Sequence, residues 1–313
     1  MDQIGRFPKF RLGRPLSPEE RRSRAVLDSY RQSRSAEFLT TIKMNSSYLE
    51  LTDRCFCWRG TMTTVGLIFL GLGIFLLVGA VEASVDHWPK NTGDKLLVIA
   101  GVSMPLTMLL GSAYIFLKTE LFNLTHNPIR LDRRNRLVHV FLYNKELLSV
   151  PWDEVVFCIG DGNHIGGAEH DLRGHILADD QRTVKATFAF GHRSHDAGEI
   201  KAYWKFIRHY MEKGPEELLA KIRYCQPIAE GREPAGWALN SYFRQLGPAF
   251  YLFFPIVLIF WGGRMLANYT SRIPRWPPDI EAKCAISPDD PYAVDASRNG
   301  PFNPLTDLPG NLE

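Results

Sequence analysis

Two stretches of the chain, Gly60 to Val81 and Leu96 to Leu117, run for about 20 residues each without a charged side chain. A third and weaker one covers Leu246 to Gly263. Helices of that length and apolarity match the thickness of a hydrocarbon core, where every backbone polar group has to be bonded within the segment. The first two predict a transmembrane helical hairpin and the third a further transmembrane helix. Pro248 and Pro255 leave the third compatible with a re-entrant or surface-lying helix as well.

Past the hairpin the hydrophobic period shortens. Ile129 to Leu131 and Leu137 to Phe141 read as a strand pair closed by the charged loop Asp132 to Arg136. Leu147 to Trp152 and Val155 to Ile159 read as a second pair interrupted at Pro151, with Trp152 in the core. Turn chemistry recurs at Asp161, Gly162 and Asn163, at Gly166 and Gly167, and at Asp179 and Asp180. Val184, Ala186, Phe188 and Phe190 alternate with polar residues as one buried strand face. Asp196 and Glu199 then open a helix whose stripe is Ile200, Tyr203, Trp204, Ile207 and Met211, and Pro215 opens a shorter one ending near Arg223. The predicted class is membrane α+β: the hairpin, a small antiparallel β-rich domain over 119–245 with a C-terminal helix, and the third apolar helix at 246–263.

Charge orients this arrangement. The whole chain carries +3, but residues 1–59 hold twelve Lys and Arg against seven acids, 119–245 are balanced, and the tail after Ser271 is acidic. Lys and Arg are retained on the cytoplasmic side, so 1–59 and the β-rich domain are expected in the cytosol and the link Glu82 to Lys95 outside. If the third segment spans, the tail is outside too. Arg6, Lys9, Arg11 and Arg14 exclude a signal peptide's apolar stretch, and Ser17, Pro18, Glu19 and Glu20 read as a helix start. That helix is expected either to lie on an anionic leaflet or to belong to a solvated basic arm. Residues 264–313, with Pro274, Pro277, Pro278 and further prolines through Pro309, predict an extended, poorly ordered tail.

Candidate chemistry is sparse. Five cysteines form no disulfide framework, and Cys55 and Cys57 are too close for the usual zinc spacing. The spans contain no ionisable residue of the kind that transport needs. Gly160, Gly162, Gly166 and Gly167 miss a dinucleotide loop. His170, His175, His192 and His195 are the metal-ligand candidates, with Asp171 or Asp196 completing a hydrolytic site, while solvent-exposed histidines account for the same counts. Arg130, Arg133, Arg134 and Arg136 form a basic cluster for lipid phosphate or a partner, against the plainer reading of a solvated hairpin tip. The balanced charge excludes nucleic acid, and no cofactor is implied.

Asn127 to Arg136, followed by Ser149, Val150, Pro151, Trp152, Asp153, Glu154 and Val155, resembles bacterial membrane-anchored proteins with a pleckstrin-homology-like cytosolic domain. Asp171 to Ala178 and Thr187 to Gly191 resemble an uncharacterised family of bacterial membrane proteins encoded near type VI secretion genes. The resemblance covers roughly Gly60 to Arg223 and implies a bacterial inner-membrane location, but transfers no functional residue. The expectation is a non-enzymatic binding or regulatory module, seated in the lipid bilayer, that engages a protein partner or lipid headgroups. The resemblance adds an alternative, an immunity or accessory protein for a type VI secretion effector; a histidine-metal hydrolase is the minor one.

Overall fold

The computed structural model describes residues 10–29, 35–143, 146–164 and 167–300. Arg6 and Lys9, the turn position Gly166 and the last prolines of the tail lie outside the described residues. In chain order the elements are α1 (Pro18–Ser29), β1 (Thr41–Met44), β2 (Tyr48–Leu51), α2 (Thr61–His87), α3 (Thr92–Glu120), β3 (Ile129–Asp132), β4 (Leu137–Phe141) and β5 (Leu147–Pro151). They continue with β6 (Val155–His164), β7 (Gly167–Leu177), β8 (Val184–Ser194), α4 (Ala197–Glu212), α5 (Ala235–Leu246), α6 (Ala249–Leu252), α7 (Phe254–Thr270) and α8 (Pro278–Lys283). The chain divides into a β-rich unit of residues 1–57, 124–247 and 273–313, and a helical unit of residues 58–123 and 248–272.

The β-rich unit contains two antiparallel sheets, β1-β2-β3-β4-β5 and β6-β7-β8. Strand alternation sorts the first: Leu49, Leu51, Ile129, Leu131, Val138 and Val140 enter a core shared with Phe157, Phe188 and the α4 stripe. Trp152 stacks on Trp204 in that core, with ring centroids 5.7 Å apart. The hairpin at Asp132 to Arg136 closes β3 on β4 as the pattern predicts. The second expected pair does not form, because β5 completes the first sheet while β6 starts the second. Asp161, Gly162 and Asn163 continue β6 rather than turning, and the helix expected to end near Arg223 is only a 3₁₀ turn at Leu219–Lys221.

Three segments assigned elsewhere by pattern belong to this unit. Within 1–59, β1 and β2 extend the first sheet, and α1 packs on β6 of the second through Ser23 Oγ against the Ile159 backbone, with Leu27 buried in the core. Helix α1 is started by a reciprocal cap, Glu20 N–H to Ser17 Oγ (3.1 Å) and Ser17 N–H to Glu20 Oε2 (2.7 Å), and its packing on β6 departs from a solvated arm. The tail is not poorly ordered over 273–300: Ile280 and Cys284 are buried, and Val294 bridges Met44. Five prolines between 273 and 300 did not prevent packing; α8 takes Pro278 at its first turn, where the missing N–H costs nothing.

In the helical unit, α2 and α3 are long and apolar enough to cross a membrane. The most apolar windows of these two segments are only 17% and 6% buried, the opposite of a soluble core helix. They pack antiparallel, with Gly66 against Leu117, Gly73 against Leu110, and Phe69 beside Phe116. Helix α3 runs unbroken across Pro105.

The third apolar segment is shorter than expected. Helix α7 has 17 residues, about 26 Å at 1.5 Å per residue, below the roughly 30 Å of a hydrocarbon core. Among the described residues only α2 and α3 are long and apolar enough to span, and the residues on either side of 248–272 belong to the β-rich unit.

Helix α7 lies close on α2. A Cβ on Gly263 would overlap Thr64 Oγ1 and sit 2.9 Å from the Gly60 carbonyl, and Gly60 itself has φ 90°. Gly263→Leu is expected to lower stability by about 1–3 kcal/mol through overpacking. Gly262 meets nothing within 4 Å, so Gly262→Leu should leave the thermal midpoint in detergent unchanged. Equal midpoints for the two variants would refute the contact.

Candidate functional site

The four histidines singled out by spacing do not converge. His175 on β7 bonds Thr187 through Nδ1 (2.8 Å), and its Nε2 lies 3.3 Å from Glu20 Oε1. His170 pairs with Asp161 at 2.6 Å. His192 stacks on Phe38 at 3.8 Å and faces Glu199 at 3.3 Å, which takes Glu199 away from the expected cap. Burial holds the His192 ring below its ordinary pKa against the pull of Glu199. His195 joins none of them in a metal-sized group among the described residues. Antiparallel register explains the dispersal: β7 and β8 pair His175 with Thr187 and His170 with Ser194.

The four arginines separate as well. Arg130 is interior, only 3% exposed, and sits between the rings of Tyr48 (4.2 Å) and Trp276 (4.5 Å). Its guanidinium donates to Glu50 Oε2 (3.0 and 2.8 Å) and Glu281 Oε1 (3.1 Å). Burial opposes that charge, but Glu50 and Glu281 outweigh it and hold Arg130 above its usual pKa. It therefore cannot meet a lipid phosphate. Arg136 is exposed and pairs with Asp153, Arg133 donates to the Lys213 carbonyl at 3.5 Å, and Arg134 is exposed at the hairpin tip.

Beside Arg130 the same sheet face holds a group that spacing did not reveal. Asp132 on β3 and His139 on β4 are diagonal neighbours across the ladder, and Cys284 follows α8 above them. All three are buried, and one ligand atom of each lies within 4.8 Å of the others. Cys284 Sγ is 3.6 Å from Asp132 Oδ2, and His139 Nε2 is 3.9 Å from it. Ser149 Oγ meets His139 Nδ1 at 2.7 Å, and Asn135 donates to Asp132 through N–H (3.0 Å) and Nδ2 (2.7 Å). Burial, and then the Asp132 carboxylate, push the Cys284 thiol up to about 11. Sequence separations of 7 and 145 residues hid this group, and a lone cysteine in a proline-rich tail carries no signal.

A second polar cluster is larger, with Asp171, Arg54 and Arg173 buried and Glu169 and Arg193 partly so. Asp171 on β7, with no exposed surface, accepts from Arg173 Nε at 2.6 Å and pairs with Arg54 Nη1. Glu169 bonds Arg193 at 3.0 Å and Arg54 at 3.4 Å. Burial and the neighbouring Arg173 charge pull Arg54 below its ordinary value. Interlocked charges of this kind fix strands and offer no open position for a substrate.

The helical unit also buries charge. Glu120, at the end of α3, accepts from Gly60 N (3.0 and 3.1 Å), Thr63 N (2.9 Å) and Thr63 Oγ1 (2.8 Å), closing the start of α2. Arg59 donates to Asn268 Oδ1 (2.9 Å), the Ala267 carbonyl (3.0 Å) and Ser271 Oγ (2.6 Å).

Residues 106–288 match the model of a family described as a family of unknown function (DUF6708). No curated protein and no solved structure matches the chain.

Proposed function

The chain belongs to the DUF6708 family, a family of unknown function, so its role has to be read from its own residues. We propose that it is a multi-pass protein of the bacterial inner membrane whose β-rich unit, in the cytoplasm, is a non-enzymatic module binding a protein partner or lipid headgroups. The carrying observation is the α2–α3 hairpin, which turns Phe75, Val85 and Leu97 outward at 78%, 79% and 73% exposure. An apolar surface of that extent is stable only against lipid or another apolar surface. Two antiparallel sheets closed by α4 support a pleckstrin-homology-like reading of the β-rich unit.

A binding role is favoured over catalysis by the state of the reactive groups. Burial raises the thiols of Cys158 and Cys225 to about 12, far from a nucleophilic thiolate. Arg130 and the Asp171 cluster pair guanidiniums with carboxylates, while Glu120 and Arg59 are held by backbone and neutral side-chain groups. The exposed tip at Arg134 and Arg136 is what remains of the basic cluster for a partner or phosphate.

Because both flanks of 248–272 lie in one packed unit, the segment enters and leaves on one face. Impermeant maleimide labelling of Lys90→Cys, Lys185→Cys and Asp289→Cys tests the arrangement in intact cells. Lys90→Cys is expected to react from outside, and the other two only after permeabilisation. External labelling at Asp289→Cys would restore a third crossing, and carbonate extraction into the supernatant would end the membrane reading. A photo-crosslinker at Arg134 tests the binding surface, with a discrete protein or lipid adduct as the expected product and no adduct as the refuting one.

A further inference from the structure

We propose that Asp132, His139 and Cys284 form a binding site for a single divalent metal ion of the zinc type, which clips the C-terminal segment onto the first sheet. The donor set is one nitrogen, one sulfur and one carboxylate oxygen, a mixture that suits a borderline-soft ion and excludes magnesium or calcium, which take oxygen. The inference does not rest on the membrane reading, since all three residues belong to the β-rich unit.

The three side chains supply three corners of a tetrahedral shell, and a water takes the fourth. Tetrahedral bonds of about 2.0–2.3 Å place ligand atoms roughly 3.3–3.8 Å apart. Here Cys284 Sγ stands 3.6 Å and His139 Nε2 3.9 Å from Asp132 Oδ2. The third separation, from His139 to Cys284, is within 4.8 Å, so a shift of up to about 1 Å would bring the three onto one ion.

An independent observation points the same way. His139 Nε2 is buried, has no hydrogen-bond partner and faces the carboxylate. A buried ring nitrogen left unbonded costs about 1–3 kcal/mol, which a bound ion would remove. The outer contacts are those that a metal-bound histidine and carboxylate use: Ser149 Oγ on His139 Nδ1 and Asn135 on Asp132.

The charge balance also holds. Binding releases the Cys284 thiol proton to solvent, so thiolate, carboxylate and a doubly charged ion sum to zero. The nearby Arg130 guanidinium is already matched by Glu50 and Glu281.

Cobalt reports such a site directly. The full-length protein in detergent is expected to take up one Co2+ per chain, with the visible bands of a tetrahedral centre and a thiolate-to-cobalt charge-transfer band, both displaced by Zn2+. Cys284→Ser should abolish the charge-transfer band and Cys57→Ser should keep it. Ser149→Ala, which keeps all three ligands, should weaken binding about 10-fold or more. Should Cys284→Ser not fold, differential alkylation of the wild-type chain decides, with Zn2+ expected to protect Cys284 selectively. A folded wild type without a thiolate band, a band that survives Cys284→Ser, or protection at another cysteine would overturn the site.

Discussion

Asp171→Ala is expected to lower the stability of the β-rich unit by about 3–5 kcal/mol, the cost of breaking a buried ion pair by removing one partner. The carboxylate is shared by Arg173 and Arg54, which are 4% and 2% exposed; its removal takes the paired charge from Arg173 and leaves Arg54 with Glu169 at 3.4 Å. Against a total of about 5–15 kcal/mol, that is roughly a fifth or more of what holds a domain together. The thermal midpoint should fall by roughly 6–20 °C for a unit of this size. Trp152 and Trp204, stacked in the core of the same unit, give the fluorescence signal. Asp171→Asn keeps the shape and removes the charge, so it should destabilise almost as much. A shift of less than about 2 °C for the alanine variant, within the effect of a surface substitution, would show that the cluster is not needed.

Glu120→Ala is expected to loosen the start of the hairpin by at least ~3 kcal/mol, since hydrogen bonds to a charged group are worth about 1.5–3 kcal/mol and several are lost together. The amides of Gly60 and Thr63 point along α2 with the positive end of its dipole, and no residue of that helix can reach them. Glu120→Gln retains one acceptor oxygen and should fall between the two. Trypsin cleavage after Arg59, which is 1% exposed in the intact unit, reads the loosening in opened membranes. Unchanged cleavage in Glu120→Ala would remove the carboxylate from the account of how α2 begins.

Glu120 also shows where local reading stops. The two long apolar runs could be read directly, because spanning length and lack of charge are properties of consecutive residues. A glutamate three residues past the apolar run reads as an ordinary boundary residue, and its capping partner lies 60 residues away. Arg130 gives the same lesson. Among Arg133, Arg134 and Arg136 it reads as part of an exposed basic tip, yet register with Glu50 and the arrival of Trp276 make it interior.

What could be read without coordinates was whatever a short window encodes: the helical hairpin, the β3–β4 turn, the amphipathic stripe of α4 and the cap that starts α1. Those signals come from rise per residue, side-chain period and capping chemistry, and none depends on distant partners. Long-range folding settled the rest. It drew β1 and β2 out of the basic N-terminal segment into the first sheet, wrapped residues 273–300 back onto it, and returned α7 toward the start of α2. It also scattered the clustered histidines over two strands and the bend before α4 while bringing Asp132, His139 and Cys284 together. Which residues meet across 100 or more positions depends on which buried faces and charges find partners, and spacing along the chain carries no trace of that outcome.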